Sequence, residues 1–386
     1  MNASVDLIFF TSTRADFGLL KSLILECQKD KKINLKILAT GSHLDKKKGY
    51  TIDEIYSNFD KDIIDEVPIS TKMKSDLDMV LGLSSATKIF GKYLESSSIK
   101  NLVILGDRFE ALACAQAGYI LKKTIFHIHG GEVSYGALDE SFRHSVTKFS
   151  DYHLASTINH KKRIIQLGEN PNSVFKVGSL VIENLKNNKI TRKKIIEKLG
   201  LQKKDRFFLI TYHPVTLANE DPYDVASNLI ESLSNFEGFK FIITMPNIDQ
   251  GSDLVRSLFS KLQTKSNQFR VFESLGSENY IAAMLHSEMV IGNSSSGIIE
   301  SGILNKVAIN IGVRQLGRDA GNNVIHSGIS VRSINKSIRK ALSSNYNKTK
   351  FSSPYYARSP ASKMKKIIMS KAINPKTIKT FYIKDE

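Results

Sequence analysis

Cysteine is scarce in this chain, proline is sparse, and no apolar run reaches the length of a membrane span. Only Cys27 and Cys114 occur, each inside an apolar pattern. That placement fits buried thiols in a reducing compartment and gives no disulfide framework. With 8 prolines and 23 glycines in 386 residues, no long flexible linker is expected. A spanning helix needs about 20 apolar residues in a row, so no membrane span is supported. The start, MNASVDLIFF, lacks the basic residues and cleavage site of a secretory signal, and a cytoplasmic location is expected.

Positive charge is in excess. Lys and Arg number 55 against 38 Asp and Glu, a formal net charge of +17. Clustered cations would suggest nucleic acid, because they neutralise phosphates. Here the lysines scatter, at Lys46 to Lys48, Lys122 and Lys123, Lys193 and Lys194, and Lys203 and Lys204. No recognised DNA or RNA module accompanies them. The charge reads as a solvated surface that draws anionic substrates, and no nucleic-acid partner is expected.

Apolar runs of strand length alternate with helix-period segments. Val5–Phe10, Leu35–Ala39, Leu102–Leu105, Thr124–Ile128 and Tyr152–Ala155 read as strands. Between the first two, Leu19, Leu20, Leu23, Ile24 and Cys27 put one apolar stripe on a helix. The pattern pauses over the polar stretch 181–190 and restarts. Phe207–Tyr212, Phe239–Met245, Phe269–Phe272, Met289–Gly292 and Val307–Ile311 form a second set. Alternating strands and helices imply parallel sheets with right-handed crossovers. The fold class is therefore α/β, with two doubly wound Rossmann-like domains facing a central cleft. The boundaries are 1–184 and 185–386, with a last helix over 361–370 that can pack back on the first domain.

The polar motifs all fall just after strands, where open α/β sheets bind ligands. Thr11–Asp16, Gly106–Glu110 and His129–Glu132 do so in the first domain. His213–Pro214, Pro246–Asn247, Gly292–Gly297 and Gly312–Arg314 do so in the second. Ser294, Ser295, Ser296 and Gly297 open a helix after a strand. Hydroxyls, small residues and free N–H groups there suit a phosphate, and capping alone needs one serine. Glu300, about one turn into that helix, can accept from ribose hydroxyls. Arg14 can grip a diphosphate, and Asp16 either caps the first helix or orients Arg14. An aspartate directly after a buried strand, Asp107, is drawn partly out of water, which suits proton transfer.

The densest cluster runs from His127 through His129 and Glu132 to Asp139, Glu140, Arg143 and His144. On a strand His127 and His129 would share a face. Asp139 and Arg143, four apart, share a face if a helix starts there. Carboxylates, imidazoles and a guanidinium in one place can set pKa values apart and supply an acid and a base. A zinc site is the weaker reading of His-x-His plus acids. His127 and His153 also read as satisfied structural histidines. His213 follows a strand at the ligand-bearing end and can reach a phosphate or act on the sugar. Of Arg314 and Arg318, one is expected to bind the nucleotide.

The ordered set T-S-T-R-A-D, G-D-R-F-E, H-G-G-E with D-E-x-x-R-H, Y-H-P and S-S-S-G-I-I-E resembles the hydrolysing UDP-N-acetylglucosamine 2-epimerases over nearly the whole chain. The resemblance implies a glycosyltransferase-B-like architecture. It implies loss of the C2 proton with expulsion of the nucleotide, then addition of water to the 2-acetamidoglucal and protonation from the other face. UDP-N-acetylglucosamine would yield N-acetylmannosamine and UDP. A close branch acts on UDP- or GDP-linked N,N'-diacetylbacillosamine for legionaminic acid. No metal or redox cofactor is implied. Carried over, Asp107 and Asp139 match acid/base carboxylates, His213 a histidine near the phosphates, and Arg14, Ser295 and Glu300 nucleotide contacts. Many relatives have a catalytic glutamate where this chain has His129, so His129 or Glu132 takes that role. The rival readings are a glycosyltransferase of the same fold and a metal-dependent hydrolase. A homodimer or higher homo-oligomer is expected, since closed symmetric assemblies are common.

Overall fold

The computed structural model describes residues 4–46, 50–70, 75–134, 138–215, 221–246, 252–262, 266–343, 346, 349–373 and 378–383. Lys47, Lys48 and Asn247, singled out above, lie outside the described residues. Among those described, no helix is long and apolar enough to cross a membrane. The chain divides into two compact units, one of residues 1–133, 137–184 and 357–386, the other of 134–136 and 185–356.

The first unit is built on a seven-stranded sheet ordered β3-β2-β1-β4-β5-β6-β7, with every pairing parallel. Its strands are β1 (Val5–Thr11), β2 (Ile33–Ala39), β3 (Ile64–Glu66), β4 (Asn101–Leu105), β5 (Thr124–Ile128), β6 (Tyr152–Ala155) and β7 (Val174–Lys176). Helices cover both faces, so the central strands are buried on each side and read as continuous apolar runs. β4 is buried at all 5 positions. The two short edge strands, β3 and β7, are half polar and carry no such run, which is why the sequence does not show them.

Chain order reverses between β1 and β4. That switch point opens a crevice at the strand carboxyl ends. The residues that follow these two strands, Ser12 to Asp16 and Gly106 to Arg108, sit there.

The second unit repeats the plan with six parallel strands ordered β10-β9-β8-β11-β12-β13. They are β8 (Arg206–Thr211), β9 (Phe239–Thr244), β10 (Phe269–Phe272), β11 (Met289–Gly292), β12 (Val307–Ile311) and β13 (Val324–Ser327). Here the switch lies between β8 and β11, so Tyr212, His213 and the turn after Gly292 share its crevice.

Within the stretch 181–190, where the apolar pattern pauses, Val181–Asn187 is helical, with Val181, Ile182 and Leu185 buried. The chain from Ala357 onward, including the last helix, groups by contact with the first unit. Its helix Pro360–Ile373 buries Met364 and Ile368 in the core that holds Leu20, Leu23 and Ile24. Beyond it, Lys379 reaches the main-chain oxygens of Lys148 (2.7 Å) and Ser150, while its ammonium lies 2.9 Å from Glu169.

Candidate active site

At the end of β1 the helix Arg14–Gln28 begins with a capping box. Thr13 accepts from the Asp16 N–H, and the Asp16 carboxylate takes the Thr13 N–H at 3.0 Å. The same carboxylate accepts the Ser12 N–H and hydroxyl at 3.1 and 3.0 Å, and the Thr11 hydroxyl. Burial pushes the Asp16 pKa up, against the pull of those donors. So Asp16 is a cap, and it does not orient Arg14. Arg14 pairs instead with Glu54 at 3.0 Å, its side chain 59% exposed. A guanidinium that exposed is held weakly and is available to an anion.

Asp107 follows β4 and meets Arg143 from the helix Leu138–Phe149. Arg143 donates from Nε (3.0 Å) and from an Nη nitrogen to the same carboxylate oxygen, Oδ2. Its other Nη reaches the Glu132 carbonyl at 3.0 Å and Glu140 at 2.8 Å. Arg143 is 1% exposed. A buried guanidinium is tolerable only when its N–H groups are partnered, and these contacts use four of its five. Asp139, four residues earlier, sits on the same face, as its spacing predicts. Burial first, then the neighbouring Asp107 charge, raise its pKa, while Arg108 and Arg143 pull it down less strongly. Arg108 itself pairs with Glu110 at 3.1 Å.

The histidines sort differently from the expected pair. β5 ends at Ile128, so His129 lies beyond the strand with φ at +67° and does not share a face with His127. His127 is fully buried between the Gly106 carbonyl (2.9 Å) and Thr147 (3.2 Å), and burial takes its pKa down to about 3. It ties β4 to the helix carrying Arg143 and is structural. His129 Nδ1 stands 3.9 Å from Glu132 Oε1. His153 is buried against Glu169 at 3.1 Å. Among the described residues, no three His, Cys, Asp or Glu side chains converge to hold a metal ion.

In the second unit Asn293 organises the crevice. Its side-chain carbonyl takes the His213 N–H (2.7 Å) and its amide donates to the His213 carbonyl (2.8 Å). Its own carbonyl accepts from Arg314 (3.0 Å) and Gln315 (2.7 Å). Three strand ends are thereby pinned together. His213 is 8% exposed, and burial, then the Arg314 charge, lower its pKa to about 4. It is a neutral imidazole at neutral pH.

Gly292 makes the turn possible: at φ +138° a Cβ would lie 1.9 Å from the Thr211 carbonyl. The serines then form a single 3-10 turn, Ser295–Gly297, capped by Ser294. The regular helix starts only at Glu300 and ends at Ile303. Glu300 is therefore its first residue, not one turn inside. A helix this short adds little dipole, so the case for an anion rests on the hydroxyls and backbone of the turn.

Sequence reasoning missed three contributors. Asn293 stood inside a quoted motif without a role. Gln315 adjoins Arg314. Tyr280, on the helix Gly276–His286, gave no signal, because only folding brings its hydroxyl to Ser296 at 2.8 Å.

Comparison with known proteins adds an independent line. Residues 25–369 match the protein-family description UDP-N-acetylglucosamine 2-epimerase. The chain is 37% identical over 322 residues to the GDP/UDP-N,N'-diacetylbacillosamine 2-epimerase (hydrolyzing) of Campylobacter jejuni, covering 83% of each chain. It is 36% identical over 335 residues to the polysialic acid biosynthesis protein P7 of Escherichia coli, covering 86% of this chain and 85% of the other. Among solved structures, the UDP-GlcNAc 2-epimerase of Neisseria meningitidis bound to UDP-GlcNAc superimposes with a TM-score of 0.79. It has 18% identity, with 95% of this chain and 100% of that chain covered, a likeness of fold.

Proposed function

Because this chain belongs to the UDP-N-acetylglucosamine 2-epimerase family, we propose that it hydrolyses a nucleoside diphosphate-linked 2-acetamido sugar with inversion at C2. In the first step the C2 proton leaves to a base and the C1–O bond breaks, releasing the nucleoside diphosphate and a 2-acetamidoglucal. In the second, water adds its oxygen to C1 and C2 takes a proton on the opposite face. Atoms balance as nucleotide sugar plus water giving free epimerised sugar plus nucleoside diphosphate.

Such a sequence needs a carboxylate that accepts a proton and a second group that keeps one to deliver. The observation that carries the reading is the Asp107–Arg143–Asp139 arrangement. Arg143 spends two donors on one oxygen of Asp107, and Asp139 beside it has a raised pKa. Two carboxyls with divergent environments are the general route to an acid and a base in one site. Glu132, near His129, takes a supporting role. On the second unit, Ser294, Ser295, Ser296 and Gly297 hold the departing diphosphate. His213 donates a neutral hydrogen bond to it, Arg314 supplies charge, and Glu300 accepts from the ribose; on the first unit, the exposed Arg14 is a further cation for an anion.

Two sugars fit the class, and each has a relative behind it. The Campylobacter jejuni protein is named for diacetylbacillosamine, which favours the branch with an amide at C4 as well. A Neisseria meningitidis relative, 28% identical over 340 residues, is named UDP-N-acetylglucosamine 2-epimerase and favours that sugar. Incubation with UDP-N-acetylglucosamine, and separately with UDP- and GDP-diacetylbacillosamine, followed by proton NMR, decides between them. One substrate should yield a free sugar with inverted C2. Intact nucleotide sugar in every tube, or release without inversion, would overturn the proposal.

A further inference from the structure

Behind the serine turn runs an unbroken line of side-chain hydroxyls. Thr244 and Thr211 are 2.8 Å apart, Thr211 and the Tyr280 phenol 3.0 Å, Tyr280 and Ser296 2.8 Å, and Ser296 and Ser294 3.0 Å. Each of the five oxygens owns one proton, and each of the four contacts consumes one. One proton is therefore left over. Whichever hydroxyl keeps it, the other four must all point toward that hydroxyl, since none can donate twice.

Geometry narrows the choice to the two ends. Thr211 and Ser296 are 6% and 8% exposed, so an unused proton on either would be buried without an acceptor, and one kept by Tyr280 would face Thr211 and Ser296 hydroxyls that both already donate to it. At the inner end, Thr244 has only the Ile210 carbonyl, at a long 3.4 Å. At the outer end, Ser294 accepts from the Ser296 hydroxyl and from its N–H at 3.4 Å, and its own hydroxyl has only the Tyr280 oxygen near it among the described residues. An anion on the turn offers that proton a far stronger acceptor than a distant carbonyl does.

We propose that Tyr280 is a positioning residue for the anion turn, the hub of a hydroxyl relay that aligns Ser294 as a donor to the substrate diphosphate. The order of donation is Thr244 to Thr211 to Tyr280 to Ser296 to Ser294 to phosphate. Each bond in such a chain polarises the next, so the outermost hydroxyl donates more strongly than an isolated serine. Tyr280 is the one member from a helix outside the sheet and the turn, and the relay has no path around it. The inference rests on the nucleotide reading above and extends it to a residue that need not touch the ligand.

The test is calorimetry with UDP and GDP on two variants. Tyr280→Phe keeps the ring and removes the hub. It should weaken nucleotide binding about tenfold, the scale of one charge-assisted hydrogen bond. KM should rise by a similar factor, with kcat at saturation little changed. Thr244→Val removes the donor farthest from the ligand together with its competing contact to the Ile210 carbonyl, so affinity within about twofold of wild type is expected. A purely structural role predicts comparable losses for both, since each variant deletes a buried hydrogen bond. Wild-type affinity in Tyr280→Phe, or an equal loss in Thr244→Val, would overturn the relay while leaving the nucleotide reading intact. A wild-type protein that binds neither UDP nor GDP would overturn the nucleotide reading, and the relay with it.

Discussion

Arg143 and Asp107 stand 36 residues apart in the chain, yet two Arg143 nitrogens converge on a single Asp107 oxygen, Oδ2. The fork fixes one edge of the carboxylate and leaves Oδ1 for other work. Arg143 is buried on a helix whose first turn also carries Asp139.

This arrangement makes the two aspartates separable from the fold by isosteric replacement. Asp107→Asn and Asp139→Asn should each lower turnover about 10²- to 10⁴-fold, the scale of general acid–base catalysis. UDP affinity should hold, because the anion turn lies in the other unit. Steady-state kinetics with calorimetry checks both statements, and near-wild-type turnover in both variants would remove the acid/base assignment.

Asp139 also carries a stability signature. Its raised pKa means that the folded state favours the protonated form. The contribution to stability is then fully present below the unfolded pKa near 4 and is lost as pH rises through the higher folded value. Asp139→Asn abolishes that loss. The variant should melt above wild type at neutral pH, and the difference should vanish on acidification. A variant that melts lower at pH 7 and recovers nothing at low pH would contradict this.

Much of this fold is legible before any coordinates. The five central strands of the first sheet and the four central strands of the second are apolar runs, because parallel strands are buried on both faces. What escaped was short and half-solvated, as with β3, β7 and β13, where no run of apolar residues marks the edge. In the site, Asp139 and Arg143 were readable from helical spacing alone. The Arg143–Asp107 pairing, the pinning of His213 by Asn293 and the arrival of Tyr280 depend on contacts across 36, 80 and 16 residues, which no local pattern encodes. His129 misled for a related reason: period-2 alternation holds only while the strand lasts, and β5 stops one residue earlier.

The buried histidines make a pH prediction of opposite sign to Asp139. Burial lowers His43, in the turn after β2 and 3.0 Å from the Thr11 hydroxyl, to about 4 and His127 to about 3, and burial with Arg314 lowers His213 to about 4. An unfolded histidine protonates near 6.5, whereas these resist until far lower pH. Their stabilisation is present above about 6.5 and is lost as pH falls toward 4. NMR of the ring protons should show no titration of these three between pH 8 and 5.5. Saturating UDP should move the His213 midpoint upward, because a diphosphate favours its charged form. A free-state His213 midpoint near 6.5 would refute the burial argument.

Two glycines in the serine turn should part company. Gly292→Ala forces a methyl to within 1.9 Å of the Thr211 carbonyl at a φ that only glycine takes easily. A loss of about 3 kcal/mol or more is expected, as for other strained backbone sites. At Gly297 the nearest atoms to an added methyl are 3.8 Å away, so Gly297→Ala should fold normally. If the turn wraps a phosphate, that methyl should still weaken UDP binding by crowding the backbone approach. Denaturation midpoints and calorimetry together test the pair, and a Gly297→Ala protein with wild-type affinity would argue against the cradle.

The C-terminal segment offers the last test, through Lys379. Its ammonium takes the carbonyls of Lys148 and Ser150 at the end of the helix that carries Arg143, and it lies 2.9 Å from the buried carboxylate of Glu169. Burial would push Glu169 up, but His153, Lys148 and Lys379 together hold it down at about 2. The Tyr382 N–H bonds the Gly168 carbonyl at 2.8 Å, and the Phe381 ring lies against Gly168. Lys379→Ala leaves the carbonyls of Thr147, Lys148 and Ser150 facing an empty place and Glu169 with Lys148 and His153 alone. Removing one member of a fully buried ion pair costs about 3–5 kcal/mol; with Lys379 21% exposed and Lys148 remaining, about 1–3 kcal/mol is expected. Lys379→Arg should recover part of it. Urea denaturation reads the loss directly, and an unchanged midpoint in Lys379→Ala would mean that the tail is not held as described.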